Sequence, residues 1–254
     1  NQLNFKEGID LVVFRENTED LYSGVEFVSP PKALVDVLSG LSKPFAKFVS
    51  LTPEEYAISC KINTRKGSAR IVRAAFEFAK EFGKKKVTVV HKANVVRATD
   101  GLFLETANEI AADFPMIEMD SANIDAMCMW LLKNPFNYEV LVAPNLYGDI
   151  ISDLCAQMVG GLGFGCSGNI GDKLAVFEPT HGSAPKYAGQ YKVNPIATVL
   201  AAKMMLDWLG ETSKAAALEA SVAQVITEGN VKTYDMGGSN TTLEMADAIA
   251  AEVP

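Results

Sequence analysis

Short apolar runs alternate with amphipathic segments along most of this chain, and that alternation restricts its possible folds more than any other feature. Residues 8–15 (GIDLVVFR), 87–90 (VTVV), 117–119 (IEM) and 138–144 (YEVLVAP) read as short strands bounded by turn formers. Residues 67–82 carry Ile71, Ala74, Ala75, Phe78 and Phe82 on one face, which predicts a helix started near Ser68 and stopped by Gly83. Residues 101–113 and 124–132 read as further helices. Repeated strand-helix-strand units build a sheet with a large parallel component, so the chain is α/β. In open α/β sheets the C-terminal strand ends face the ligand crevice, which draws attention to Arg15 and Glu16.

The pattern breaks at residues 30–53, where Pro30, Pro31, Pro44 and Pro53 bracket short apolar pieces, and residues 56–61 alternate like a strand. This region reads as an excursion from the main fold. Residues 160–171 (GGLGFGCSGNIG) contain a formal G-x-G-x-x-G at Gly163, Gly165 and Gly168. It follows a helix rather than a strand, and residues 173–177 after it read as a strand, so it is not a Rossmann fingerprint. Residues 178–194 form a long turn-rich loop, a length that usually marks function or disorder. Helices are expected at 195–209, with Pro at the first position, at 214–226 and at 243–251, with a turn at 234–238.

Residues 145–153 (NLYGDIISD) pass from the strand at 138–144 into helical spacing. Asp149 and Asp153 are four apart and share a helix face, where like charges repel unless a cation joins them. The pair taken alone reads more economically as a capping Asp149 in the first turn and a solvated Asp153. Likewise Tyr22, within the charged segment 16–27, could be a core tyrosine, and Lys92 a surface charge.

The net charge of -8 argues against a nucleic-acid surface or an anionic membrane as partner and favours small-molecule chemistry. Four scattered cysteines, Cys60, Cys128, Cys155 and Cys166, form no CxxC pair, which points to a reducing compartment, cytoplasmic or a mitochondrial matrix. No apolar run approaches the roughly 18 residues of a membrane span. Residues 1–7 lack signal-peptide design, and the chain begins at Asn1 without Met, the pattern of a processed or partial chain.

Six stretches in order, FRENTEDLYSGVE, KANVVRATDG, NIDAMCMWLL, NLYGDIISD, GGLGFGCSGNIG and HGSAPKYAGQYKVNP, together resemble the isocitrate and isopropylmalate dehydrogenases, which are metal-dependent β-decarboxylating enzymes. The resemblance implies two α/β domains with a mixed sheet and a non-Rossmann dinucleotide site. Residues 1–20 and 66–160 would form a small substrate and dimer domain, 21–65 a clasp-like excursion, and 161–254 the C-terminal part of a large cofactor domain. It implies that Asp149, Asp153 and, from a partner subunit, Asp125 hold Mg2+ or Mn2+. Arg15 would grip substrate carboxylates, Tyr22 would act as general acid, the partner's copy of Lys92 would help remove the hydroxyl proton, and Asn94, beside Lys92, would also bind substrate. The dinucleotide would lie on His181, Gly182, Ser183, Ala184, Pro185, Lys186, Tyr187 and Asn194, with Tyr234 beside it.

Lys186, Tyr187 and Tyr234 resemble positions that contact the 2'-phosphate in NADP-dependent members, so the expected activity is isocitrate to 2-oxoglutarate and CO2 with NADP. The alternative is an NAD-linked homoisocitrate or isopropylmalate dehydrogenase, or a catalytically incomplete subunit or fragment of such an enzyme. At Gly238 the sequence departs from the arginine of bacterial NADP-linked isocitrate dehydrogenases. The resemblance also implies a homodimer with shared active sites. The family's N-terminal segment has no counterpart in this sequence, so these 254 residues alone are expected not to complete the active site.

Overall fold

The structure is a computed structural model that describes residues 5–254. Residues 1–4, the start of the stretch read as lacking signal-peptide design, lie outside the described residues. In chain order the elements are β1 (Val12–Arg15), β2 (Glu26–Phe27), α1 (Lys32–Leu41), β3 (Ile58–Ser59), α2 (Arg65–Glu81), β4 (Lys86–His91), α3 (Thr99–Ala111), β5 (Glu118–Asn123), α4 (Ile124–Lys133), β6 (Val140–Ala143) and α5 (Asn145–Met158). Then come β7 (Cys166–Ile170), β8 (Ala175–Pro179), α6 (Ile196–Trp208), α7 (Thr212–Glu228) and α8 (Thr242–Glu252). Backbone contacts divide the chain into two compact units. One is Leu11–Ile150, and the other contains residues 5–10 and Ile151–Pro254.

In the first unit four strands form a sheet in the order β1-β6-β4-β5, and every pairing in it is parallel. Antiparallel pairing lies in two separate ribbons, β2-β3 and β7-β8, rather than within that sheet. The α/β expectation holds, and the register explains what the sheet presents. Arg15 pairs with Ala143 at the ends of β1 and β6, and His91 pairs with Asn123 at the ends of β4 and β5. The next residues along each chain segment are therefore delivered side by side at one sheet edge.

The core of this unit is built where α2 and α3 cover one sheet face. Val72, Ala75, Phe76 and Ala79 of α2 and Phe103, Ala107 and Ile110 of α3 enclose Val87, Val89, Val140 and Val142. Each large apolar side chain removed from water there contributes about 1.5–3 kcal/mol. The α2 helix begins three residues earlier than the spacing predicts, because Thr64 caps it by accepting the Gly67 amide (3.0 Å), not Ser68. The Glu19 carboxylate in turn accepts from the Thr64 amide and hydroxyl (both 2.8 Å), tying the loop after β1 to the helix start.

Three expectations are corrected. The strand expected at 117–119 runs to Asn123, and its polar sequence EMDSAN, at a sheet edge, gives little apolar signal. The proline-bracketed excursion holds a ten-residue helix, α1, whose Lys32 and Asp36 pair at 2.8 Å. Asp149 is the fifth residue of α5, not a first-turn cap, because that helix opens at Asn145.

In the second unit the glycine-dense run itself contains a strand, β7, and β8 is shifted to Ala175–Pro179. Gly168 faces Phe177 across the ribbon, where an added β-carbon would lie 3.1 Å from the ring, and one at Gly165 would lie 2.3 Å from Thr180 Oγ1. These glycines permit close packing, which fits the rejection of a dinucleotide fingerprint. The ribbon, α6, α7 and α8 pack in succession, with Phe164, Ile196, Val222, Val225, Met236, Met245 and Ile249 between them.

Candidate active site

Gly148 determines how the first group of polar residues meets. A β-carbon there would lie 2.5 Å from Arg15 Cγ and 2.7 Å from Arg15 Cβ, so only glycine lets the arginine stem lie across α5. With that path open, Arg15 Nε donates to Asn145 Oδ1 (3.0 Å) and its Nη1 donates to Asp149 Oδ1 (2.6 Å). The guanidinium also sits 5.1 Å from the Tyr22 ring centre. Tyr22 lies in a 3-10 turn, Asp20–Ser23, and is half exposed. Partial desolvation, then hydrogen bonding to Asp149 and its charge, push the Tyr22 hydroxyl above the ordinary tyrosine value, against an opposing pull from Arg15. Arg15, Tyr22 and Asp149 are thus brought together as the sequence suggests. Asp153 lies one turn further along α5, exposed.

Lys92 and Asp125 form a second group. Lys92 follows β4, Asp125 is the second residue of α4, and their side chains form an ion pair. Hydrogen bonding from Lys92 is the main cause of a lowered Asp125 pKa. Asn94 is exposed in the turn that follows Lys92. His91 is buried beneath this turn, where its Nδ1 accepts the Ala93 amide (3.0 Å), and burial holds its pKa below the usual histidine value. Among the described residues no three His, Cys, Asp or Glu side chains converge as a metal site. The donors offered by Asp149 and Asp153 are nevertheless all oxygen, suited to Mg2+ or Mn2+, and a third carboxylate such as Asp125 would come from another chain.

Beneath both groups lies a network the sequence does not reveal. Lys61 Nζ contacts Asp20 Oδ2 (2.9 Å) and Asp100 Oδ1 (3.2 Å), and both aspartates are fully buried. The same ammonium is 4.5 Å from the Tyr147 ring centre. Burial first, and then the Asp100 charge and hydrogen bond, raise the Tyr147 pKa and keep its hydroxyl neutral. The partners are about 40 residues or more apart, as in Lys61 with Asp20, so no periodic pattern signals them. Another buried carboxylate, Glu16, accepts from the Thr18 and Glu19 amides (3.0 Å each) and from Arg70 (2.8 Å), which fixes the loop before Tyr22.

In the other unit, the segment from His181 to Tyr187 is an irregular loop. His181 Nδ1 lies 2.9 Å from the Gly182 carbonyl, Gly182 and Ser183 are exposed, and Ala184 has φ +43 before the 3-10 turn Pro185–Tyr187. Tyr187 and Tyr234 lie 5.8 Å apart, with Lys186 4.8 Å from the first ring and Lys192 4.9 Å from the second. Lys192, which sequence reasoning passed over, joins that cluster. Hydrogen bonding and charge from Lys186 lower the Tyr187 pKa. The buried Asn194 amide donates to Asp235 (3.0 Å) and accepts from Ile196 N (3.0 Å), so it shapes the start of α6. At Gly238 a β-carbon would lie 2.1 Å from the Lys232 carbonyl oxygen, so no side chain fits there without a backbone shift.

Known proteins resemble this chain in sequence and fold. The isocitrate/isopropylmalate dehydrogenase family profile matches residues 2–249. The chain is 43% identical to 3-isopropylmalate dehydrogenase of Archaeoglobus fulgidus over 96% of its length and 67% of that protein. It is 44% identical to the mitochondrial isocitrate dehydrogenase [NAD] catalytic subunit 6 of Arabidopsis thaliana, over 96% of this chain and 59% of that one. The crystal structure of isocitrate dehydrogenase from Methylococcus capsulatus superposes with a TM-score of 0.84 at 41% identity, covering 96% of this chain and 67% of that one. The chain spans about three fifths to two thirds of the length of these relatives. By sequence and fold, the chain belongs to the isocitrate/isopropylmalate dehydrogenase family.

Proposed function

We propose that this chain is part of an enzyme that oxidises and decarboxylates a 3-substituted malate, isocitrate first, with NAD as hydride acceptor. The observation that carries the reading is the contact of Arg15 with both Asp149 and the Tyr22 ring at the C-terminal ends of β1 and β6. An anion-binding fork, a carboxylate and a neutral phenol grouped in this way would suit one small acid. Isocitrate, homoisocitrate and isopropylmalate share the 2-hydroxy dicarboxylate half that such a set would recognise.

A divalent cation held by Asp149 and Asp153 would supply charge stabilisation for the developing oxyanion. The loop from His181 to Tyr187 would hold NAD, which would supply the hydride-accepting chemistry. The protein's own groups do the rest. Arg15 would exchange its present partners for a substrate carboxylate. Lys92 of a second chain would take the hydroxyl proton. As the bond to the departing CO2 breaks, its electron pair forms the enolate, and Tyr22 would deliver a proton to C3.

Lys92 pairs with Asp125 while Arg15 and Tyr22 gather on Asp149; with the family likeness, two such half-sets favour an assembly with shared sites, either a homodimer or a pair of homologous subunits. NAD is favoured because Gly238 leaves no room for an arginine and because the similar Arabidopsis subunit is named for NAD. NADP is the second reading, carried by the cluster of Lys186, Lys192, Tyr187 and Tyr234, which suits an added phosphate. The test is turnover of the three acids by the full-length protein with Mn2+ and each cofactor. Isocitrate with NAD should have the highest kcat/KM; turnover of none of the acids refutes the reaction, and a preference for NADP selects the second reading.

A further inference from the structure

Lys61 stands between two fully buried aspartates, one holding the backbone amide next to Tyr22 and the other the amide of Lys92. Asp20 Oδ1 accepts from Leu21 N (2.6 Å), immediately before Tyr22, and its Oδ2 accepts from Leu146 N (3.2 Å) at the start of α5. Asp20 itself takes φ +73, a left-handed conformation that a non-glycine residue keeps only when its surroundings hold it there. Asp100 Oδ2 accepts from Lys92 N (2.7 Å). Glu16, the other buried carboxylate of this region, is paired with Arg70 and does not contact Lys61. A single ammonium is therefore shared by both carboxylates that fix these two backbones, one positive charge set between two buried negative ones whose remaining donors include the Leu21, Leu146 and Lys92 amides.

We propose that Lys61 is a positioning residue that couples the turn presenting Tyr22 to the turn presenting Lys92 through Asp20 and Asp100. The coupling is mechanical and electrostatic: displacing the ammonium from one aspartate changes its grip on the other. This rests on the functional reading only for its catalytic consequence. Since that reading assigns Tyr22 and Lys92 to different sites of an assembly, the coupling would run between the sites.

Amide hydrogen exchange in the full-length protein tests the coupling without requiring turnover. In Lys61→Met, exchange at Leu21 and at Lys92 should rise together, while Val87 to Val90 in the core strand stay protected. Asp100→Asn, which leaves Lys61 paired with Asp20, should change exchange at Leu21 as well as at Lys92, and should lose that distant effect when combined with Lys61→Met. If Lys61→Met fails to fold, Asp100→Asn alone decides. A Leu21 amide unaffected by Asp100→Asn overturns the proposal, as does loosening of only one turn in Lys61→Met. In steady state, Lys61→Met should lower kcat roughly 10- to 100-fold with KM for the acid little changed, the size expected of a small misplacement. Lys61→Arg should restore part of the loss. A wild type that turns over none of the acids refutes the functional reading, while the exchange measurements still decide the coupling.

Discussion

Gly148 and Arg15 are in van der Waals contact at a point where no β-carbon fits, since one at position 148 would lie 2.5 Å from Arg15 Cγ. Gly148→Ala should displace the arginine stem from α5 and break its contacts with Asn145 and Asp149. Overpacking of this kind costs about 1–3 kcal/mol, which thermal unfolding would show. It should also raise KM for the acid more than it lowers kcat, because the lost group binds substrate rather than transferring protons. An alanine variant with unchanged KM would separate Arg15 from substrate binding.

Tyr22 is half exposed and contributes little to the core, so Tyr22→Phe should fold as the wild type does. Loss of a general acid should reduce kcat by roughly 100- to 10,000-fold. In the metal-free protein, tyrosinate absorbance should show Tyr22 titrating above the ordinary tyrosine range. Asp149→Asn should bring it down, by removing a charge and a hydrogen bond that favour the phenol. A titration unmoved by Asp149→Asn would contradict the contact.

His91 gives a pH dependence of stability with a defined sign. Burial holds its folded pKa below the unfolded value of about 6.5, so the unfolded chain binds the extra proton more readily in the interval between them. Its stabilising contribution is present above about pH 6.5 and falls as pH drops through that interval. Protonation also removes the acceptor for the Ala93 amide, so the Lys92 turn should loosen with it. His91→Gln should flatten the pH dependence of the melting temperature near pH 6. His181 is the chain's other histidine, and His181→Gln should leave that dependence in place.

Gly238 and Lys186 test cofactor choice from opposite sides. Gly238→Arg should lower the melting temperature without improving use of NADP, because its β-carbon meets the Lys232 carbonyl oxygen at 2.1 Å. Lys186→Glu should reduce kcat/KM for NADP by roughly 10- to 100-fold, the range of one lost charge-assisted hydrogen bond. It should leave NAD comparatively unaffected. Equal losses for both cofactors would place Lys186 away from any 2'-phosphate.

Much of the fold is legible because its elements have strong patterns: Val140 to Ala143 is a continuous apolar strand, Val87 to Val90 is apolar but for Thr88, and the apolar stripe of α2 is plain. Where the signal is weak, the boundaries move. Polar β5 gives little pattern because an edge strand need bury little, and β7 is obscured by glycines whose role is to admit Phe177 and Thr180. The cap of α2 depends on a hydroxyl at Thr64 held by Glu19, 45 residues earlier in the chain.

The sequence by itself determined the α/β alternation and the family, since these depend on local pattern and motif order, and through the family resemblance it named Arg15, Tyr22, Lys92, Asp125, Asp149 and Asp153 as candidates. Only the tertiary structure decided how they are grouped. Strand register sets Arg15 beside α5 and Lys92 beside Asp125, the missing β-carbon of Gly148 lets Arg15 reach Asp149, and the Lys61 ammonium joins Asp20 to Asp100. The physical reason is that buried charge must be neutralised nearby in space, and the partner that does so need not be nearby in sequence.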